Sequence, residues 1–223
     1  MNRASSSYKV FPEVQRVLLH RLGSLGDTVV ALPALHLVAA AFPNAKRVLL
    51  TNRPVHAKAP SASVVIGESG LVNDYIEYPV GTRSLTELLR LWRQIIQFRP
   101  EWIIYLAEYK GKTALKRDEW FFRTCGARKM IGFHGDAVVA PLYCPEEGLW
   151  EHQAPRLLRR LKEIGTLSCS DLSSWDLHLT DAEQERAKSV LAPLASRPFL
   201  VCGPGTKMPA KDWGGDKWFD LMQ

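Results

Sequence analysis

One arrangement near the start of the chain constrains the fold more than any other: an apolar segment, a glycine-containing loop and a long periodic stretch follow one another directly. Residues 14–20 read VQRVLLH, and the loop at residues 23–26 leads into a stretch of apolar periodicity that starts at Asp27. This order predicts a strand, a turn and a helix. The loop is expected at the carboxyl end of the strand, where open parallel sheets bind their ligands.

The same alternation of strand and helix continues along the chain. Further strands are predicted at residues 47–51, 63–66, 74–78, 102–106 and 129–133, and helices at residues 84–98, 113–125 and 152–164. Pro100 ends one helix just before a strand, and Gly126 is the expected C-cap of another. Alternation of this kind is typical of a doubly wound α/β domain built on a parallel sheet.

The pattern restarts near the end of the sequence. Thr180 and Glu183 have the spacing of a capping box and predict a helix that runs to about Ala192. A linker and a new strand at residues 199–202 follow, as at the start of a second domain. The predicted organisation has four parts: a flexible leader at residues 1–15, a Rossmann-like domain at 16–192, the linker at 193–198 and the truncated start of a second domain at 199–223.

Charge and cysteine usage narrow the function classes. The formal net charge is +6, and residues 83–129 alone carry eleven Lys and Arg against five Asp and Glu. That stretch predicts either a basic face toward an anionic partner or an ordinary solvated helix surface. The four cysteines are scattered without a C-x-x-C pair, which argues against a zinc site or a disulfide framework and favours a reducing cytoplasm. The longest apolar run, residues 29–42, is shorter than the ~20 residues that a membrane span needs.

The first loop carries the best candidate for chemistry. Its sequence at residues 21–28, RLGSLGDT, has two glycines but lacks the G-x-G-x-x-G order, and Asn52 and Arg53 stand where a dinucleotide site needs an acidic residue. A nucleotide-dependent oxidoreductase is therefore disfavoured. Asp27 lies at the start of the following helix, where a carboxylate acts as an N-cap or first-turn residue worth ~1 kcal/mol. From position alone, capping is a sufficient role for Asp27.

A resemblance to a known family adds a second role. Residues 18–35, LLHRLGSLGDTVVALPAL, resemble the opening motif of glycosyltransferase family nine, the heptosyltransferase family, and residues 126–133 resemble its Gly-Ala-x-x-x-Ile-Gly-Phe stretch. Residues 106–109, LAEY, differ from the Asp-x-Gln-Gly that is common in the family. The resemblance covers the N-terminal part of the family's length. It implies a two-domain GT-B architecture in which this chain holds one Rossmann-like domain and only the start of the other.

The resemblance also implies a reaction and site residues. The family inverts the anomeric centre while it transfers a heptose or related sugar from an ADP-sugar to a hydroxyl of a lipopolysaccharide-type acceptor, without a metal or other cofactor. The family's Gly-Asp pair corresponds to Gly26 and Asp27, which implies that Asp27 is the base for the acceptor hydroxyl. Four residues beyond the strand at 102–106 are candidates for binding anionic groups of the acceptor, with a solvated helix start as the alternative: Lys110, Lys112, Lys116 and Arg117.

The end of the chain, residues 199–218, resembles the start of the family's donor-binding domain, with Gly214 where Pro is usual. The family pattern points to Thr206 and Lys211, and more weakly to Lys207, as donor-binding residues. Loop N–H groups, a hydroxyl and an ammonium group are sufficient to hold a diphosphate without a metal.

The predicted partners are a nucleotide-sugar donor of the ADP-heptose type and an anionic glycolipid acceptor, with no nucleic acid. The predicted location is the cytoplasm, with peripheral contact at the inner membrane. We expect this 223-residue chain to be inactive by itself. The alternative function is a non-catalytic Rossmann-like module that binds an anionic glycolipid or protein.

Overall fold

A computed structural model describes residues 7–53, 60–133, 139–194, 198–203 and 212–222. The chain divides into two compact units, Met1–Thr180 and Asp181–Gln223. The strands of the first unit are β1 (Ser7–Tyr8), β2 (Arg16–His20), β3 (Lys46–Asn52), β4 (Asp74–Tyr78), β5 (Trp102–Tyr105), β6 (Lys129–Ile131), β7 (Tyr143–Cys144), β8 (Leu149–Trp150) and β9 (Gly165–Thr166). Its α-helices are α1 (Leu25–Val30), α2 (Leu32–Ala41), α3 (Ala62–Ile66), α4 (Leu85–Phe98), α5 (Lys112–Arg123) and α6 (Gln153–Arg160).

Five strands form one parallel sheet in the order β4-β3-β2-β5-β6. The central strand is β2, where Leu19 lies opposite Leu49 of β3 and Ile104 of β5. From β2 the chain winds outward to β3 and β4, then returns to β5 and β6. The winding direction reverses between β2 and β5, and this is the topological switch point of a Rossmann-like sheet. The doubly wound α/β fold expected from the sequence is confirmed.

Apolar side chains cover both faces of the sheet, which explains why its strands have nearly continuous apolar sequences. On one face, α2 and α6 pack over β2, and α2 is apolar on almost every side, with Leu37 and Val38 fully enclosed. On the other face, α4 and α5 contribute Ile95 and Phe122 to a second apolar cluster. The strands are therefore fixed on both sides, and their carboxyl ends are held at one edge.

The N-terminal residues differ from the flexible leader expected over residues 1–15. Strand β1 pairs antiparallel with β9, so that Ser7 lies opposite Thr166. The ring centroid of Phe11 lies 5.3 Å from that of Phe42 and 4.8 Å from that of Trp102. Residues 7–15 are held because these aromatic contacts and the short strand pair attach them to the first unit; residues 1–6 lie outside the described part of the chain.

Two short apolar runs do not form the expected strands. Residues 63–66 lie in α3, which follows Ser61 and buries Ile66 while Val64 stays 72% exposed. One-sided burial suits a helical turn, and short apolar runs do not by themselves distinguish helix from strand. Residues 199–202 have no helix or strand, and Leu200 is 93% exposed, because a parallel strand requires a neighbour to pair with.

The second unit contains two α-helices among its described residues, α7 (Asp181–Leu191) and α8 (Gly215–Met222), with a 3₁₀ turn at Ala192–Leu194. Neither helix contains a buried residue. The boundary between the units falls before α7, whereas the sequence placed a linker at residues 193–198. Among the helices that the structure describes, none has the length and apolar character to cross a membrane.

Candidate functional site

The loops that leave β2 and β5 lie side by side at the carboxyl edge of the sheet. The Leu106 N–H donates to the His20 carbonyl at 2.9 Å, and the Arg21 N–H donates to the Leu50 carbonyl at 3.0 Å. These bonds extend the strand pairing by one residue and fix the start of each loop. The loop before α1 and the loop before α5 therefore open at the switch point, which is the usual ligand position in open α/β sheets.

Asp27 is held at the start of α1 by the residue that precedes the helix. Its Oδ2 atom accepts hydrogen bonds from the Ser24 N–H at 2.6 Å and from the Ser24 hydroxyl at 2.9 Å. The side chain remains 41% exposed. Asp27 thus has the capping role that its position predicts, and an exposed carboxylate in a fixed orientation can also accept a proton from a bound hydroxyl. Gly26, the other half of the motif, is exposed beside it.

Gly23 lets the loop pass close to Asp27. Its φ is +150°, and a Cβ atom added there would lie 2.3 Å from the Asp27 Cβ. The Gly23 N–H donates to the Asn52 side-chain oxygen at 2.7 Å, which ties the loop to the end of β3. This positioning role of Asn52 is not visible in the sequence, where Asn52 only argues against a dinucleotide site.

Arg21 is the buried centre of the site, with 3% of its surface exposed. Its Nη1 donates to the Leu106 carbonyl at 3.0 Å, and its Nη2 donates to the Asp27 carbonyl at 3.1 Å and lies 3.6 Å from the Asp27 Oδ1. With its amide oxygen turned toward the guanidinium, Gln153 accepts from Nη2 at 2.8 Å and from Nη1 at 3.2 Å. Burial lowers the pKa of Arg21, and the Asp27 carboxylate opposes that shift. Arg21 therefore joins the β2 loop, the end of β5 and α6.

The basic residues predicted to bind the acceptor lie just before α5 and in its first two turns. Lys110, Lys112, Lys116 and Arg117 are all exposed. Arg117 is committed to an ion pair, since its Nη2 lies 2.7 Å from the Asp118 Oδ1. Gly26 and Asp27 are consecutive residues at the start of α1, and the role of the four basic side chains in acceptor binding stays a prediction.

His20 ends β2 beneath the site, surrounded by aromatic rings. Its Nε2 lies 3.2 Å from the Tyr78 hydroxyl, and its ring centroid lies 5.3 Å from that of Tyr105 and 5.1 Å from that of Phe122. Burial lowers the pKa of His20 to about 4, so the ring is neutral near pH 7. A neutral imidazole here supports the sheet edge and adds no charge to it.

Helix α6 adds two buried arginines that were not predicted from the sequence as site residues. Arg160 is 2% exposed, and its guanidinium donates to the carbonyls of Ala107 and Val139. Arg156, one turn earlier, is 9% exposed. Their positions beside Leu157 could have identified them, because a cation on the apolar face of a helix is unfavourable unless it has a specific partner.

The predicted donor-binding residues Thr206, Lys207 and Lys211 lie outside the described residues, as does the loop at 134–138. Within the part of the chain that is described, no group of three or more His, Cys, Asp or Glu side chains is placed to hold a metal ion.

The fold and the site define the class of this domain: a Rossmann-like α/β domain with a polar site at the switch point of its sheet. A solved structure with this fold is the glycosyl transferase family 9 protein from Veillonella parvula DSM 2008, with a TM-score of 0.57 and 14% sequence identity. The similarity covers 93% of this chain and 58% of that protein, so this chain spans less than two thirds of its length. No protein-family model matches the chain, and no curated protein matches it significantly.

Proposed function

We propose that this chain is the acceptor-side part of an inverting glycosyltransferase. The observation that carries the proposal is the exposed Asp27 carboxylate, anchored at the switch point of a fold shared with a family 9 glycosyl transferase. In the finer form of the proposal, the donor is an ADP-heptose or related nucleotide sugar and the acceptor is an anionic glycolipid of the lipopolysaccharide type. The motif resemblance at residues 18–35 supports that choice.

In the proposed reaction, Asp27 acts as the general base. The acceptor hydroxyl loses its proton to the Asp27 carboxylate as its oxygen attacks the anomeric carbon, and the bond from that carbon to the nucleoside diphosphate breaks. The Ser24 donors hold one carboxylate oxygen, so the side chain needs little reorientation before it accepts the proton. Lys110, Lys112, Lys116 and Arg117 would attract the acceptor, and Thr206, Lys207 and Lys211 would hold the donor diphosphate.

The test is Asp27→Asn in a version of the protein that carries the complete donor-binding half. Asparagine keeps the size and the hydrogen bond to the loop but cannot take the proton, so turnover of ADP-heptose with a lipopolysaccharide-type acceptor should fall by at least ~10²-fold. Asp74→Asn is the matched control, because Asp74 begins β4 at the opposite edge of the sheet, paired with Lys46 at 2.9 Å. Wild-type turnover in a correctly folded Asp27→Asn variant would show that Asp27 is not the base.

A second candidate function is a binding module without turnover. The exposed lysines at the start of α5 favour it, because a basic surface can recognise an anionic glycolipid or protein without any chemistry. Release of nucleoside diphosphate from the donor distinguishes the two functions. A binding module would bind the glycolipid but release no nucleoside diphosphate, with or without the glycolipid present.

A further inference from the structure

One face of α6 is directed at the carboxyl edge of the sheet. Gln153 reaches Arg21 of the first loop, and Arg160 reaches the carbonyl of Ala107 just beyond β5. Arg156 lies three residues after the first and four before the second, so it is on the same face of the helix. The three polar side chains of α6 therefore meet the same edge that presents Asp27.

Arg156 differs from its neighbours because nothing in the described part of the chain pairs with it. It is 9% exposed, and its Nε atom is enclosed without a hydrogen-bond partner. Arg159, by contrast, lies 2.7 Å from the Glu151 carboxylate and donates to the Ala140 carbonyl. The terminal nitrogens of Arg156 are not among the enclosed atoms, so they keep access to solvent and to a small ligand.

The charges around Arg156 are unbalanced. Burial lowers the pKa of Arg21 and brings that of Arg160 to about 10, and the positive charge of Arg156 adds to both shifts. Among the carboxylates near these arginines in the described part of the chain, Asp27 is held by Ser24 and Glu151 by Arg159, and Glu108 is exposed. A buried guanidinium group without an ion pair is unfavourable, and an anionic ligand can supply the missing partner.

We propose that Arg156, with Arg21 and Arg160 beside it, is the principal contact of a phosphate-binding site at the carboxyl edge of the sheet. A guanidinium group can give a phosphate two parallel hydrogen bonds, whereas the more exposed lysines of α5 offer single point charges. Resting on the proposed function, the phosphate is a substituent of the sugar acceptor, held at the same edge as Asp27. Free inorganic phosphate shares the same chemistry.

The experiment measures binding of inorganic phosphate to the 223-residue chain, by calorimetry and by the shift of Tm at constant ionic strength. Phosphate should raise the Tm in proportion to the logarithm of its concentration. Arg156→Met should weaken binding by at least ~10-fold, as loss of a charge-assisted hydrogen bond implies. Arg156→Lys should keep part of the affinity. Lys162→Met, which removes one exposed charge just beyond α6, is the matched control and should bind as the wild type does.

A second readout tests whether Arg156 is unpaired. Without phosphate, Arg156→Met should have a Tm equal to or above that of the wild type, because it removes a buried charge that lacks a partner. A lower Tm would mean that Arg156 supports the fold, and it would overturn the proposal. So would full phosphate affinity in Arg156→Met, or an equal loss in Lys162→Met.

A sugar monophosphate separates the two sources of the anion. Tighter binding than inorganic phosphate would assign the site to a phosphorylated acceptor, and equal binding would assign it to free phosphate; both outcomes support the site. Because this experiment measures binding, a failure to bind phosphate would not contradict the proposed sugar transfer. Failure of the Asp27→Asn turnover test would likewise leave the phosphate site standing.

Discussion

At the scale of single residues, the contact between Gly23 and Asp27 makes the loop intolerant of a side chain. A Cβ atom at position 23 would meet the Asp27 Cβ at 2.3 Å, well inside van der Waals contact, and the backbone there has φ +150°. Gly23→Ala must therefore displace either the loop or the carboxylate. The Asn52 hydrogen bond to the Gly23 N–H resists the first movement.

We expect Gly23→Ala to lower the free energy of unfolding by about 1–3 kcal/mol, the range for a strained backbone position. Urea denaturation of the 223-residue chain measures this. Gly26→Ala, in the first turn of α1, is the control, because its added Cβ approaches nothing closer than 4.0 Å and alanine favours the helix. Equal stability of the two variants would mean that the loop adapts at no cost.

At the scale of elements, the sequence predicts a helix or strand correctly where burial on one or both sides produces a recognisable apolar pattern. Strands β2, β3 and β5 are buried on both faces and have short continuous apolar runs, and α4 has an apolar stripe with Leu91 and Ile95 on its buried side. Strand β1 was missed because two paired residues carry no periodic signal. Residues 63–66 and 199–202 were assigned wrongly because an apolar run becomes a strand only where a neighbour can pair with it.

The candidate site, too, is visible in the sequence only where its residues lie close together along the chain. Asp27 and its glycine loop form a local motif, so they are visible in the sequence. The role of Arg21 depends on Gln153, which is 132 residues away, and on the docking of α6 against the end of β5. No local sequence pattern predicts these contacts. The buried arginines of α6 are recognisable as site residues only in the folded chain, where they lie at the carboxyl edge of the sheet.

The N-terminal segment allows a direct test of whether residues 7–15 belong to the stable unit. Phe11 lies against Phe42 and Trp102, so Phe11→Ala removes two ring contacts that hold residues 7–15 in place. We expect a loss of about 2–4 kcal/mol in the free energy of unfolding, somewhat below that of a fully enclosed ring. Val10→Ala is the control, since Val10 is 51% exposed. A loss under ~0.5 kcal/mol in Phe11→Ala, typical of a surface substitution, would mean that the segment is not part of the stable unit.

At the scale of the whole molecule, His20 makes unfolding sensitive to acid. Burial lowers its pKa to about 4 in the folded chain, while an unfolded chain has the ordinary value of about 6.5. The unfolded state therefore binds more protons between these values. The contribution of His20 to the free energy of unfolding is therefore fully present above pH 6.5. It falls as the pH drops toward 4 and is constant below that value.

Between pH 7.5 and pH 5, this one histidine should lower the free energy of unfolding by about 2 kcal/mol, the linkage expected for a shift of this size. Chemical denaturation at the two pH values in wild type and His20→Leu isolates the effect, because only the difference in pH dependence is compared. If His20→Leu loses as much stability on acidification as the wild type, the ring is protonated without cost in the folded state.

The pairing of β1 with β9 joins residues that are far apart in sequence, since Ser7 lies opposite Thr166. During synthesis the first of these strands must wait for the second, and at about 5–20 residues per second that delay is on the order of 10–30 seconds. Phe11 has its partner Phe42 early but Trp102 only later. The β1 segment is thus synthesised well before its partner strand and reaches its final place only after β9 has been made.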